Sequence, residues 1–105
     1  MSDTPSTKKK FATVTLDEPL VRGEQSIDKV TLRRPSAGDF RGTTMSAAYQ
    51  MDPVALSKVI SRISDPVISA PEFLAMDADD AGALAGEVVD FLLTRQQKAE
   101  AGLTE

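Results

Sequence analysis

The sequence predicts an α+β fold: a small single domain with an N-terminal β-hairpin followed by three main helices. Two early segments alternate apolar and polar residues, which is typical of half-buried strands. The rest of the chain has apolar residues at helical spacing, divided by prolines and capping residues. With 105 residues, the chain can form one modest hydrophobic core.

Alternation places the two strands at residues 12–16 and 27–34. The ten residues between them, DEPLVRGEQS, contain Pro and Gly, which interrupt strands and form turns. We therefore expect a hairpin with a long connection, in which Leu20 and Val21 can extend the first strand.

The first helix is expected to begin after Pro35, which ends the second strand. Ser36 and Asp39 have the spacing of a capping box, with Asp in place of Glu or Gln. One helical face then carries small and apolar residues at Ala37, Phe40, Thr44, Ala48 and Met51. Gly and Thr at 42–44 weaken the middle of this helix.

Proline and capping residues delimit the second helix. Asp52 and Pro53 form an N-cap and first turn. The helix ends before Pro66, because the residue preceding a proline disfavours helical geometry. Its inward face comprises Leu56, Val59, Ile60 and Ile63. A brief helical turn capped by Ser69 follows.

The last helix is predicted to start at Asp77, with further acids in its first turn at the positive end of the helix dipole. Its buried stripe comprises Ala81, Leu84, Ala85, Val88, Phe91 and Leu92. We place the domain at 11–95, between a flexible N-terminal tail at 1–10 and a flexible C-terminal tail at 96–105, because the tails lack apolar periodicity.

The composition lacks several reactive residue types. The absence of Cys and His excludes thiolate nucleophiles, sulfur-ligated metals and the usual proton shuttle. The sequence also has no phosphate-binding loop and no apolar run long enough to span a membrane. We therefore expect a protein that is not an enzyme, uses no cofactor or metal, and does not enter a membrane.

Charge is uneven along the chain. Residues 1–10 carry +2, residues 11–64 carry +1 and residues 65–105 carry −7, which add up to the net charge of −4. The acidic last third argues against nucleic acid as a partner, because phosphate binding requires a basic surface.

A basic cluster lies around the second strand, at Lys29, Arg33, Arg34 and Arg41. It is open to two interpretations, a patch for nucleic acid or, more economically, an exposed strand face balanced by nearby acids. Arg33 or Arg34 can also pair with Asp39 and tie the strand to the first helix.

Two patterns occur at the start of the last helix. Asp77, Asp79 and Gly82 match part of a calcium-binding loop, but the later ligand positions do not match, which favours acids at a helix N-terminus. Gly82 and Gly86 share a helical face and would let another backbone approach closely. Their spacing indicates either an interaction groove or tight packing within the domain.

Residues 30–41, VTLRRPSAGDFR, contain a strand with arginine, then Pro, a small residue, Ala-Gly-Asp and a helix. This segment resembles the strand-to-helix signature of the phage tail assembly chaperone family, the Mu-like and E-type tail assembly proteins. LDEPLVRGEQSIDKV is similar to the family's opening hairpin, and PEFLAMDADDAGALAGEVVDFL to its closing turn and last helix. The resemblance spans residues 12–93 and implies that its motif residues determine the fold, namely Arg33, Pro35, Gly38 and Asp39.

The resemblance implies a non-catalytic chaperone that transiently binds the tape measure protein and keeps it soluble until tail tube subunits polymerise. It also implies the tail tube protein and a frameshift-extended form of the chain as partners. A homo-oligomer is compatible with the sequence. The expected location is the cytoplasm of the bacterial host, with the protein absent from the mature virion.

The candidate partner-binding residues lie on the last helix, at Leu84, Val88, Phe91 and Leu92. They are expected either to complete the core or to offer part of an apolar face to a helical partner. Two other functions are alternatives. One is a minor virion component of the tail tube or tail tip, and the other is a small nucleic-acid-binding regulator that uses the basic strand face.

Overall fold

The computed structural model describes residues 10–93. It confirms the predicted α+β class, with an antiparallel sheet of order β1-β2-β3 and a layer of helices. The elements in chain order are β1 (Phe11–Arg22), β2 (Gln25–Arg33), a 3₁₀ turn (Ala37–Phe40), α1 (Met45–Tyr49), α2 (Pro53–Ile63), β3 (Ser64–Asp65), α3 (Ala70–Ala75) and α4 (Ala78–Leu92). Most of both predicted tails lies outside the described residues.

The hairpin is tighter than the sequence predicts. Arg22 pairs with Gln25, so the connection is a two-residue turn and the expected long connection is wrong. Gly23 has a φ of 58°, which a type II′ hairpin turn requires at its first central position. The strands reach this turn because β1 continues past Pro19 through an irregularity in the pairing. Thr15 pairs with Lys29 and Leu20 with Ile27, so β1 advances by five residues where β2 advances by two.

The predicted first helix is two short elements, so its prediction as one continuous helix is wrong. The 3₁₀ turn ends at Phe40, and Gly42 then adopts a φ of 82°, which breaks the helical path. α1 begins only after Thr44, whose side chain accepts a hydrogen bond from the backbone N–H of Ala47 at 3.0 Å. Threonine at an N-cap starts a new helix here and does not continue the previous one.

The later helices begin where the sequence predicts. The Asp52 side chain caps α2 and a capping box starts α3, whereas α4 follows Asp77, whose side chain makes no capping hydrogen bond. The chain leaving α2 forms a strand that the sequence did not predict, β3, which pairs with Thr31 and Leu32 of β2. Two residues carry too little alternation to predict a strand.

The core lies between one face of the sheet and the helices. The alternating apolar residues of both strands point inward against α2 and α4. The side chains buried completely or almost completely include Val30, Leu32, Leu56, Val59, Ile60, Ile68, Leu84 and Val88. The strand faces and the inward face of α2 are as predicted.

Candidate functional site

Arg33 and Asp39 form the bond that the sequence predicts between strand and turn. The Arg33 guanidinium donates from Nη1 and Nη2 to the two carboxylate oxygens of Asp39 at 2.9 and 3.0 Å. This pairing, with a further hydrogen bond from the Ser36 N–H at 2.8 Å, holds the pKa of Asp39 below its usual range. Asp39 is buried, so the pair fixes the path of the chain from β2 into the 3₁₀ turn.

The structure explains less about Pro35 and Gly38, the other two motif residues. Pro35 is half-buried after the end of β2. A Cβ at Gly38 would meet Arg41 at 3.8 Å and Ser36 at 3.9 Å, which are normal contact distances. Nothing in the structure explains why position 38 is glycine.

Arg62 supports the same turn from α2, a role that the sequence did not reveal. Its Nη1 donates to the backbone oxygens of Asp39 and Arg41 at 2.8 and 2.7 Å. Arg34 donates to the backbone oxygen of Phe91 at 2.8 Å and lies over the Phe91 ring. Two members of the basic cluster, Arg33 and Arg34, are therefore engaged within the domain, which favours the structural interpretation of that cluster.

Three of the four candidate residues on α4 belong to the core. Leu84, Val88 and Phe91 are at most 2% exposed, and Leu92 is half-buried. They complete the core, which is the first of the two roles expected for them. A partner-binding role for these side chains stays a prediction, and for Leu84, Val88 and Phe91 it would require the domain to open.

The start of α4 also binds the hairpin through a carboxylate. Asp80 is 3% exposed and accepts hydrogen bonds from the backbone N–H groups of Asp17 and Glu18 at 2.8 and 3.0 Å. It thereby satisfies backbone donors at the irregularity in β1, where regular strand pairing is interrupted. The sequence indicated only that acids here suit a helix N-terminus.

A fourth polar contact joins the hairpin turn to α3. The Arg22 guanidinium donates to both carboxylate oxygens of Glu72 at 2.9 and 2.8 Å and also to the backbone oxygen of Val67. This pairing and a hydrogen bond from the Ser69 N–H lower the pKa of Glu72 to about 2. Together, Arg33–Asp39, Arg34–Phe91, Asp80 with the β1 amides, and Arg22–Glu72 are called the hairpin latches below.

An apolar groove lies on the helical layer, with a volume of about 290 Å³. Met51 and Leu74 stand at its sides with 43% and 50% of their surfaces exposed, while Leu56 and Phe73 are buried below them. The remaining lining residues are Pro53, Met76, Ala78, Ala81, Gly82 and Ala85. Methionine side chains are flexible and polarizable, so such a surface adapts to different apolar partners.

The α4 wall of the groove consists of small residues one helical turn apart. Ala78, Ala81, Gly82 and Ala85 have the spacing of one helix face. A Cβ built at Gly82 or Gly86 would meet nothing within 4 Å. Tight packing within the domain therefore does not explain the glycines, and Gly82 opens onto the groove.

Met51 is held in an unusual backbone conformation. Its φ is 62°, in the left-handed region that favours glycine. The N–H of Met51 donates to Ala48 O at 2.9 Å and the N–H of Asp52 donates to Ala47 O at 3.0 Å, which is the Schellman pattern at the end of α1. The chain thus places a large, half-exposed side chain at the groove in a position where glycine is usual, and such strain is often found at functional positions.

Within residues 10–93, no cluster of His, Cys, Asp or Glu side chains is placed to hold a metal ion. No helix in that part of the chain is long and apolar enough to cross a membrane. The described domain is thus a small α+β unit whose candidate site, an apolar groove, suits contact with another polypeptide.

Comparison with known proteins identifies the family. The family model described as "Phage tail assembly chaperone proteins, E, or 41 or 14" matches residues 13–93, and the chain belongs to this family. The resemblance found in the sequence is thereby confirmed. No solved structure matches the chain.

Two curated relatives come from Escherichia phage P2. Tail assembly protein E is 46% identical over 79 residues, which are 75% of this chain and 87% of that protein. Tail assembly protein E' is 45% identical over 80 residues, which are 76% of this chain and 56% of that protein. The chain therefore spans little more than half the length of E', which is the longer of the two relatives.

Proposed function

We propose that this protein transiently binds the tape measure protein during phage tail assembly and keeps it soluble until tail tube subunits polymerise around it. The observation that carries this proposal is membership of the tail assembly chaperone family across residues 13–93, a range that contains nearly all of the described fold. The proposed action is binding without catalysis.

The groove supplies a surface suited to this role. Met51 and Leu74 expose large apolar areas that can cover apolar segments of a client. The groove is small, so that each contact is readily broken when tail tube subunits compete for the client. A holding chaperone requires both properties.

The partners and location follow from the same proposal. Tail tube protein displaces the chaperone in the host cytoplasm, and the mature virion lacks the chaperone. The existence of a longer relative, E', supports a frameshift-extended form of this chain that shares the same domain.

Co-expression with the tape measure protein of the same phage tests the proposal. Leu74→Glu places a charge at the groove, and Phe11→Glu is its control, since Phe11 is 64% exposed at the start of β1. We expect soluble tape measure protein with the wild type and with Phe11→Glu, and aggregated tape measure protein with Leu74→Glu. A wild-type chain that leaves the tape measure protein insoluble would refute the proposal.

Mass spectrometry of purified particles provides a second test. A chaperone is expected to be missing from them, whereas stoichiometric amounts in the virion would support the alternative of a structural tail component.

A further inference from the structure

We infer that the groove binds an amphipathic α-helix with basic residues beside its apolar face. This inference rests on the proposed function only in taking that helix from the tape measure protein. The shape of the groove and the charge around it carry the inference.

The shape favours a helix. The α4 wall, with Ala78, Ala81 and Gly82 on one face, allows the backbone of another helix to approach closely. The opposite side offers Met51 and Leu74, whose exposed side chains can pack around apolar anchors that recur once per turn. An amphipathic helix presents such anchors at positions i, i+3, i+4 and i+7.

The charged residues in the segments that line the groove are all acidic. The two segments that line it, residues 51–56 and 73–85, contain four Asp and no Lys or Arg. Asp80 is buried against the hairpin amides, while Asp52, Asp77 and Asp79 are exposed. Three exposed carboxylates around an apolar surface favour basic groups on the partner and disfavour acidic ones.

The ends of this chain are poor candidates for the occupant. Residues 1–9 contain Met1 as their one large apolar residue, and residues 94–105 contain Leu103 as theirs. A helix that fills a groove needs several apolar anchors on one face. Residues 1–9 and 94–105 are therefore not the occupant that we assign to the groove.

Two synthetic peptides test the inference with the full chain. Both have about 18 residues, roughly 27 Å of helix, and the same Leu/Ala face, but one carries Lys and the other Glu on its flanks. We expect the Lys peptide to bind at least about tenfold more tightly by fluorescence anisotropy, because three exposed carboxylates attract one peptide and repel the other. Equal affinities, or no binding of either peptide, would overturn the inference.

A pair of glycine variants locates the binding site. Gly82→Leu fills the groove wall, whereas Gly86→Leu adds the same side chain one turn later, outside the groove lining. Both variants are expected to stay folded, since leucine is a better helix former than glycine and neither site has a neighbour within 4 Å of a Cβ. Gly82→Leu should weaken Lys-peptide binding at least about tenfold and Gly86→Leu less than about twofold. Equal losses in both variants would contradict the assigned site.

Co-expression separates this inference from the proposed function. If the wild type and Gly82→Leu both keep the tape measure protein soluble, the function stands and the groove inference is wrong. If the wild type binds the Lys peptide but leaves the tape measure protein insoluble, the groove inference stands and the proposed client is wrong.

Discussion

The hairpin latches and the groove are built from different interactions. The latches are directional hydrogen bonds from arginine, carboxylate and backbone groups to named partners, such as Arg33 to Asp39. The groove is lined by apolar side chains, including the half-exposed Met51 and Leu74. The difference shows that polar bonds hold the hairpin on the helices at defined positions, while the groove leaves apolar side chains exposed and free to adapt to a partner.

The largest expected effect on stability comes from replacing a core leucine with alanine, and the same replacement at the groove is its control. Leu84→Ala should lower the free energy of unfolding by about 2–5 kcal/mol, because Leu84 is fully buried and its loss leaves a cavity. Leu74→Ala should lower it by less than about 1 kcal/mol, because half of Leu74 already faces solvent. Urea unfolding of both variants measures the difference, and similar losses would mean that the groove is part of the core.

Removal of a latch should have the next largest effect. Asp80→Ala deprives the N–H groups of Asp17 and Glu18 of their acceptor, so we expect a loss of about 2 kcal/mol. Hydrogen exchange at these two amides should rise at the same time. Asp79→Ala is the control, since Asp79 is exposed one position earlier on α4, and a comparable loss there would indicate a helix-dipole effect instead.

The latches should also make stability depend on pH. The pKa of Glu72 is about 2 in the folded protein against 4.5 for an unperturbed Glu, so its contribution is complete above about pH 4.5 and falls as pH drops toward 2. The lowered pKa of Asp39 acts in the same direction. Urea unfolding between about pH 5 and pH 3 should show declining stability, and Glu72→Gln should flatten that decline. If the stability of Glu72→Gln declined just as steeply with falling pH, the Arg22–Glu72 pair would not be the cause of the decline.

The smallest expected effect on stability is at Met51, where a substitution tests whether the side chain is needed at the groove. Met51→Gly should change the free energy of unfolding by less than about 1 kcal/mol, because relief of the left-handed conformation offsets the lost apolar contacts. Retention of the tape measure protein in solution should nevertheless fall. A variant that keeps full chaperone activity would show that the Met51 side chain is not needed at the groove.

Local signals were sufficient for much of this fold. Asp52-Pro53 and Ser69 set the starts of α2 and α3, and alternation identified both hairpin strands, because caps and periodicity depend on neighbouring residues. The pairing of Arg33 with Asp39 was also predictable, since only six positions separate them.

The features that sequence reasoning missed depend on distant contacts or on competition between local signals. Asp80 finds its partners more than 60 positions earlier, and Arg62 binds carbonyls about 20 positions earlier. Thr44 has the spacing of a helix face, although it caps a new helix. Periodicity marks an apolar face at Leu84, Val88, Phe91 and Leu92 without showing what covers it.

The position where α4 ends bears on the groove. Leu92 is the last residue of α4, and its backbone oxygen accepts a hydrogen bond from the Tyr49 hydroxyl at 3.1 Å. From Ala85, the last α4 residue that lines the groove, to Leu92, the helix rises by only roughly 10 Å. Because Tyr49 lies two positions before Met51, this hydrogen bond ties the end of the last helix to the segment that carries Met51 to the groove.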